Sequence, residues 1–241
     1  MLQKLAAHKN KFTLFLLLVA ASIVSVCLEA MRIWRSGTVH YGFLLWNLGL
    51  AWIPFMLAAL AYALANARKP ILYGVILASA AAWLVFFPNA PYILTDFQHL
   101  SVAIDGIPVW YNVILLIWFA WTALLLGIVS LYLMQEIVAR MLGIKASWLF
   151  VVIVTGLSSF GIYVGRFMRW NSWDAWNQPL PLARDIWDEI SHPLANKEAF
   201  FFTLIFMLLF LFIYVTLVVF GNLTVERQKQ RMAGTQPTKV R

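Results

Sequence analysis

The sequence predicts an all-α fold, a polytopic membrane bundle of about six transmembrane helices with short interfacial helices on its outer face. Three observations predict it. The chain of 241 residues is 63% hydrophobic and only 12% charged, with a mean hydropathy of +0.81. An ordinary globular domain is roughly half apolar and about a quarter charged. Its apolar residues gather in six runs long enough to cross a bilayer, which takes about 20 helical residues. The runs lack the alternation of a membrane barrel strand, and in lipid the backbone polar groups must then be satisfied within helices.

The runs lie at residues 12–30, 43–64, 71–88, 110–134, 148–168 and 199–220, within a single transmembrane domain, 1–222. The first follows a basic start, as a secretory signal does. It exceeds a cleavable core in length and no small-x-small site follows, so it reads as a retained span. It contains Cys27, the only cysteine. A lone cysteine excludes an internal disulfide or a cysteine-cluster metal site, and in an apolar run it reads as a small buried hydrophobe. No repeat, linker or second domain interrupts the spans. The basic stretch 223–241 reads as a cytoplasmic tail, partly disordered.

Six spans put both termini on one side. Lys4, Lys9, Lys11, Arg68, Lys69, Arg140, Lys145, Arg227, Lys229, Arg231, Lys239 and Arg241 share that side, twelve of the 18 basic residues. Positive loops stay cytoplasmic, so both termini are expected inside. Asp96, Asp105, Asp174, Asp185, Asp188, Glu189 and Glu198 fall outside. So do Trp34, Trp46, Trp110, Trp170, Trp173, Trp176 and Trp187, against Trp148 as the clear inner counterpart. The net charge of +8 is thus topological. It implies no nucleic acid; the partner is the lipid bilayer, and no pattern in the chain sets an oligomeric state.

Two outer-face constellations carry the candidate chemistry. In the first, Pro88 and Pro91 break the third span, since proline lacks a donor and clashes with the preceding turn. Asn89 is then placed to cap a new helical turn. From it Asn89, Tyr92, Asp96 and His99 step by i, i+3, i+7 and i+10, one stripe of a helix. In the second, Gly161 and Gly165 form a small-xxx-small pair that admits another helix. Tyr163, Arg166, Arg169 and Trp170 follow at steps of three or four, leading into Asn171, Trp173 and Asp174. Arg166 falls near headgroup depth, where an arginine needs an anionic partner or must snorkel.

Taken singly, each of these residues reads as packing, an interhelical ion pair or an aromatic belt. Together, at one depth, they favour a binding or catalytic pocket. Asp96, His99 and Asp174 are the catalytic candidates. Asn89, Tyr92, Tyr163, Arg166, Arg169, Asn171 and Trp173 are candidates for holding a substrate or headgroup. Asp96 and His99 with His192 or Asp174 would make a metal set, but no HExxH or paired-histidine spacing supports one and no metal is expected. No histidine sits mid-span for haem, and Ser158, Ser159 and Ser172 lack a nucleophile elbow. The residues name no cofactor. Between the spans, Leu182, Ile186 and Ile190 recur every four residues with Arg184, Asp185, Asp188 and Glu189 opposite. That pattern predicts an amphipathic helix on the outer leaflet, a passive one or a lid.

The strings Asn89-Ala90-Pro91-Tyr92-Ile93-Leu94-Thr95-Asp96-Phe97-Gln98-His99-Leu100 and Gly165-Arg166-Phe167-Met168-Arg169-Trp170-Asn171-Ser172-Trp173-Asp174 resemble the signature of a bacterial multi-pass membrane family, domain of unknown function family number 1361. The resemblance runs from about the second span to the last. It implies a bacterial plasma (inner) membrane location and brings no activity, substrate or cofactor.

Two functions fit the chemistry. One is an enzyme of the outer leaflet acting on a lipid-linked or cell-envelope substrate by acyl or phosphoryl-group transfer or hydrolysis. There Arg166 and Arg169 would grip an anion and His99 or Asp96 would act as base. The other is an accessory or scaffold protein that binds anionic lipid or a partner protein. A transporter is the weaker reading, because polar groups at the span middles are scarce, Asn47 chief among them.

Overall fold

The computed structural model describes residues 2–66, 73–100, 105–192 and 196–234. Among them every regular element is helical: α1 (Leu2–Ser36), α2 (Phe43–Asn66), α3 (Tyr73–Phe86), α4 (Asn89–Tyr92), a 3₁₀ helix (Ile93–His99), α5 (Val109–Leu142), α6 (Ile144–Arg166), α7 (Asp174–Asn177), α8 (Pro179–Ser191) and α9 (Lys197–Gly234). Six helices among the described residues are long and apolar enough to cross a membrane: Phe12–Ser36, Phe43–Ala65, Gly74–His99, Val109–Leu142, Ile144–Arg166 and Lys197–Leu223. The all-helical bundle expected from the hydropathy is thus present. Residues 71 and 72, at the expected start of the third span, lie outside the described residues, as do 235–241 of the tail. The tail's helix continues α9 as far as Gly234.

Burial decides the arrangement. The most apolar window of α5 is 61% buried, against 17% for those of α1 and α9, so α5 is the axis and α1 and α9 are peripheral. Around α5, α2 packs also on α3, and α6 packs also on α9. Leu115, Leu116, Phe119 and Ala123 of α5 meet Leu44, Leu48 and Ala51 of α2 in one core cluster. Trp83, Phe87, Leu131, Val151 and Phe210 join α3, α5, α6 and α9 in the other. Large side chains on the outer faces, among them Leu17, Ile153, Ile205 and Phe212, are exposed, which suits lipid rather than water. Cys27 lies on such an exposed face rather than in the core.

The ends of α1, α3 and α6 and the starts of α2, α5 and α9 meet at one end of the bundle, together with every short helix among the described residues. That end carries both motifs.

Candidate functional site

Pro88 and Pro91 end α3 because neither supplies the amide that the α-helical ladder needs. The chain bends into α4 and then tightens into the 3₁₀ helix. Carbonyls at the end of α3 lose their partners, and polar side chains take over. The Asn89 amide donates to Phe86 O at 2.9 Å and to Ser172 Oγ at 2.9 Å. Ser172 Oγ in turn donates to Val85 O at 3.1 Å. Asn89 therefore covers the end of the preceding helix. The N-cap position of α4 is Pro88, and no side chain caps it.

Gly161 of α6 lets this bent segment settle against the helix, and Gly165 stands at ordinary contact distance one turn on. A Cβ on Gly161 would stand 2.9 Å from Pro88 Cγ, and one on Gly165 3.4 Å from the Tyr92 ring. On α5, a Cβ on Gly127 would stand 3.0 Å from Ala90 Cβ. The small-xxx-small pair thus receives the break between α3 and α4.

The 3₁₀ pitch of three residues per turn puts Asp96 and His99 on one side, where Arg166 meets both. Arg166 Nη2 donates to Asp96 Oδ1. Its Nε and Nη2 donate to Thr95 Oγ1 at 2.8 and 2.6 Å, and Nη1 reaches His99 Nε2 at 3.2 Å. The guanidinium also lies over the Tyr92 ring, 4.2 Å from its centroid. Arginine can only donate, so the bonded His99 Nε2 is an acceptor and the ring proton sits on Nδ1. Asp96 takes a second bond on its other oxygen, from the Asn47 amide at 2.9 Å. The pair is deep: the side chains of Arg166 and Asp96 are 10% and 1% exposed. Four of the five guanidinium N–H groups are thereby committed.

Beside this cluster lies a cavity of about 350 Å³, within the ~300–1,000 Å³ range of small-molecule sites. Leu50 of α2, Leu84 of α3, and Leu157 and Phe160 of α6 line its deeper part. Leu84 and Leu157 are also exposed on the bundle's surface, at 37% and 51%. Trp46, Asn47, Asn89, Asn171 and Trp173 surround the shallower part, with Leu182 and Ile186 of α8 across it. Trp46 and Trp173 meet edge to face at 6.3 Å. Among the described residues, those lining this cavity include no Asp, Glu, Lys, Arg or His.

The structure therefore sorts the expected site residues. Asn89, Tyr92, Asn171 and Trp173 line the cavity; Asp96, His99 and Arg166 form the polar cluster behind it. Arg169, Asp174 and Tyr163 join neither group. Arg169 takes a left-handed φ of 63° in the turn after α6 and is exposed. Asp174 accepts the Asn171 backbone N–H at 2.7 Å, closing the loop. Tyr163 stacks on Phe167 and donates 3.0 Å to Glu189 of α8. It faces α8 and α9, where Glu189 and Phe202 meet it; three steps of about 100° leave it about 60° around the helix from Arg166 and one turn away along it.

The amphipathic helix exists as α8, with a different inward face. Leu182, Asp185, Ile186 and Glu189 are half-buried, whereas Ile190 is exposed along with Leu180 and Trp187. A strict four-residue step drifts about 40° each time, so Ile190 lies about 80° from Leu182, while steps of three and four stay on one face. Asp185 and Glu189 face inward because Trp170 and Tyr163 supply donors, the indole N–H of Trp170 reaching Asp185 at 2.9 Å.

Two sets of residues lie outside the candidates put forward from the sequence. Asn47, Thr95 and Ser172 complete the site; Asn47 was legible as the one strongly polar group in its span. A second polar cluster joins α1 to α5. Arg32 is fully buried, donating to Asn112 at 3.1 Å and to Asp105 at 3.3 Å, with the Tyr41 ring 4.7 Å away. The Thr38 hydroxyl, 2.6 Å from Asp105, together with Arg32 holds that carboxyl below the usual carboxylate range. Glu29, one turn before Arg32, is buried with no hydrogen bond to either oxygen among the described residues.

No curated protein and no solved structure matches the chain. A family model described as protein of unknown function (DUF1361) matches residues 46–214, which spans α2 to α9 and holds the whole of the cavity and the Arg166 cluster. The chain belongs to that family.

Proposed function

We propose that this is a lipid-binding membrane protein that holds one lipid or lipid-linked molecule at the extracytoplasmic face of a bacterial plasma membrane, with both termini cytoplasmic. The supporting observation is the cavity itself. Its deep wall is leucine and phenylalanine, and two of its residues, Leu84 and Leu157, are exposed along membrane-length helices. An apolar chain entering between them leaves hydrocarbon for protein without meeting water, so the polar end is left at the tryptophan- and asparagine-rich mouth.

Binding fits the geometry better than turnover does. Asp96, His99 and Asp174 do not line the cavity, and Arg166 is engaged with Asp96, Thr95, His99 and Tyr92. Among the described residues no three His, Cys, Asp or Glu converge into a metal set. The polar cluster is the brace that holds α2, the 3₁₀ helix and α6 around the cavity.

Native mass spectrometry of the purified protein tests this. Wild-type protein is expected to carry one lipid-sized adduct through purification. Leu157→Trp, a change at a half-exposed wall position, is expected to lose it with little change in melting temperature. An adduct of equal occupancy in that variant, or none in the wild type under several mild detergents, would overturn the reading.

A further inference from the structure

Resting on the reading of the cavity as a lipid site, we infer that the bound molecule carries an uncharged, hydroxyl-rich head, a glycosyl or glycerol group, rather than a phosphate or carboxylate. Charge is the first argument. Among the described residues the cavity is lined without a single charged side chain. A phosphate in a water-poor site needs arginine, lysine or a helix N-terminus to replace its lost hydration. Of the two arginines in the motif, Arg169 is exposed and outside the lining, and Arg166 is not free to move. It is fixed by Asp96, Thr95 and His99, with the Tyr92 ring against its face. With Asp96 it also carries no net charge. On the opposite side, Asp185 of α8 accepts the Trp170 indole N–H and adds negative charge to the helix that covers the mouth. An anionic head would face that charge with no cation in the cavity wall among the described residues, since Arg169 and Arg184 are exposed to solvent and line no part of it.

The polar groups that remain are the second argument. Asn47 and Asn89 both spend their NH₂ ends on protein acceptors, Asp96 for the first and Phe86 O and Ser172 Oγ for the second. Those acceptors fix which end of each amide is which. The Oδ1 atoms of Asn47 and Asn89 bond no described residue, so both amides offer the cavity a carbonyl acceptor. Asn171 adds an exposed side-chain amide at the mouth, and Trp46 and Trp173 add indole N–H groups and ring faces. Neutral acceptors beside neutral donors and flat aromatic faces match a group that offers O–H donors, O acceptors and C–H surface together. A sugar ring or a glycerol hydroxyl does this; a phosphate offers acceptors only.

The test uses the full chain in an amine-oxide detergent, which has no sugar head to compete. Dioctanoylglycerol, its glucosyl derivative and dioctanoyl phosphatidic acid are titrated separately, and bound adducts are counted by native mass spectrometry. The glucosyl lipid is expected to bind at least about tenfold more tightly than phosphatidic acid. Asn171→Ala is expected to shrink that ratio, and Leu157→Trp to abolish binding. Diacylglycerol binding as tightly as the glucosyl lipid supports the inference with the glycerol hydroxyl as the head. Phosphatidic acid binding tightest, and sensitive to Leu157→Trp, overturns the inference while the lipid site stands. If no lipid responds to Leu157→Trp, the site itself fails and the inference with it.

Discussion

Arg166 and Arg32 solve one problem twice. A guanidinium among apolar helices is costly unless its donors are met by an anion and further acceptors. Arg166 meets Asp96 and Thr95; Arg32 meets Asp105 and Asn112 and leaves its buried Nη1 without a hydrogen bond among the described residues. The stabilising value of such a pair comes less from attraction than from what is left when one partner goes. Arg166→Met leaves the Asp96 carboxylate, 1% exposed, with only the Asn47 amide as a donor among the described residues. That variant is expected to lose about 3–5 kcal/mol of stability, whereas Arg166→Met with Asp96→Leu recovers most of it. Thermal unfolding in detergent measures both. A single variant as stable as the wild type would remove the brace from the account. Arg169 lacks such a partner among the described residues and turns the chain instead, which is why an equal charge three residues away has a different place.

At the scale of elements, the bent segment and α6 are built for one another. Glycine inside a helix costs about 1 kcal/mol relative to alanine, so each of Gly161 and Gly165 needs a reason. For Gly161 the reason is contact: an added Cβ would press on the Pro88 ring at 2.9 Å, which cannot swing aside as a flexible side chain does. Overpacking of this kind costs about 1–3 kcal/mol, more than the propensity gained. Gly161→Ala is therefore expected to lower the melting temperature. Gly165→Ala, whose Cβ would make an ordinary 3.4 Å contact with Tyr92, is expected to leave it unchanged or raise it. The reverse order in a melting experiment would show that the segment does not rest on α6 as described. α8 repeats the theme on the outside: its inward acids are tolerated because Trp170 and Tyr163 donate to them, and its exposed Trp187 and Leu180 suit a helix lying in an interface.

For the whole molecule, the proposed sidedness follows from helix count and basic residues together. With Cys27→Ser as background, a cysteine at Arg184 is expected to react with a membrane-impermeant maleimide on intact cells. A cysteine at Lys145 is expected to react only after permeabilisation. The opposite pattern would invert the topology and move the cavity to the cytoplasmic face.

The sequence by itself determined the all-helical bundle, its six membrane-length helices, the break at Pro88 and Pro91, and the two motifs that lie at one end. Those features depend on run length and on proline's missing amide, which are local properties that bilayer thickness and backbone bonding translate directly. It also brought Asp96, His99 and Arg166 forward as candidates, since polar side chains in apolar runs need partners. Only the tertiary structure decided which of them meet. Rotation of α6 about its axis turned Arg166 to the 3₁₀ helix and Tyr163 to α8. The loop fold closed Asp174 on its own backbone, and α1 set Arg32 and Glu29 inward against α5. Hydropathy carries no information on helix rotation; that is set by glycine contacts and ring packing between residues far apart in the chain. So the motifs were legible, and their division into an uncharged cavity and a charged brace behind it was not.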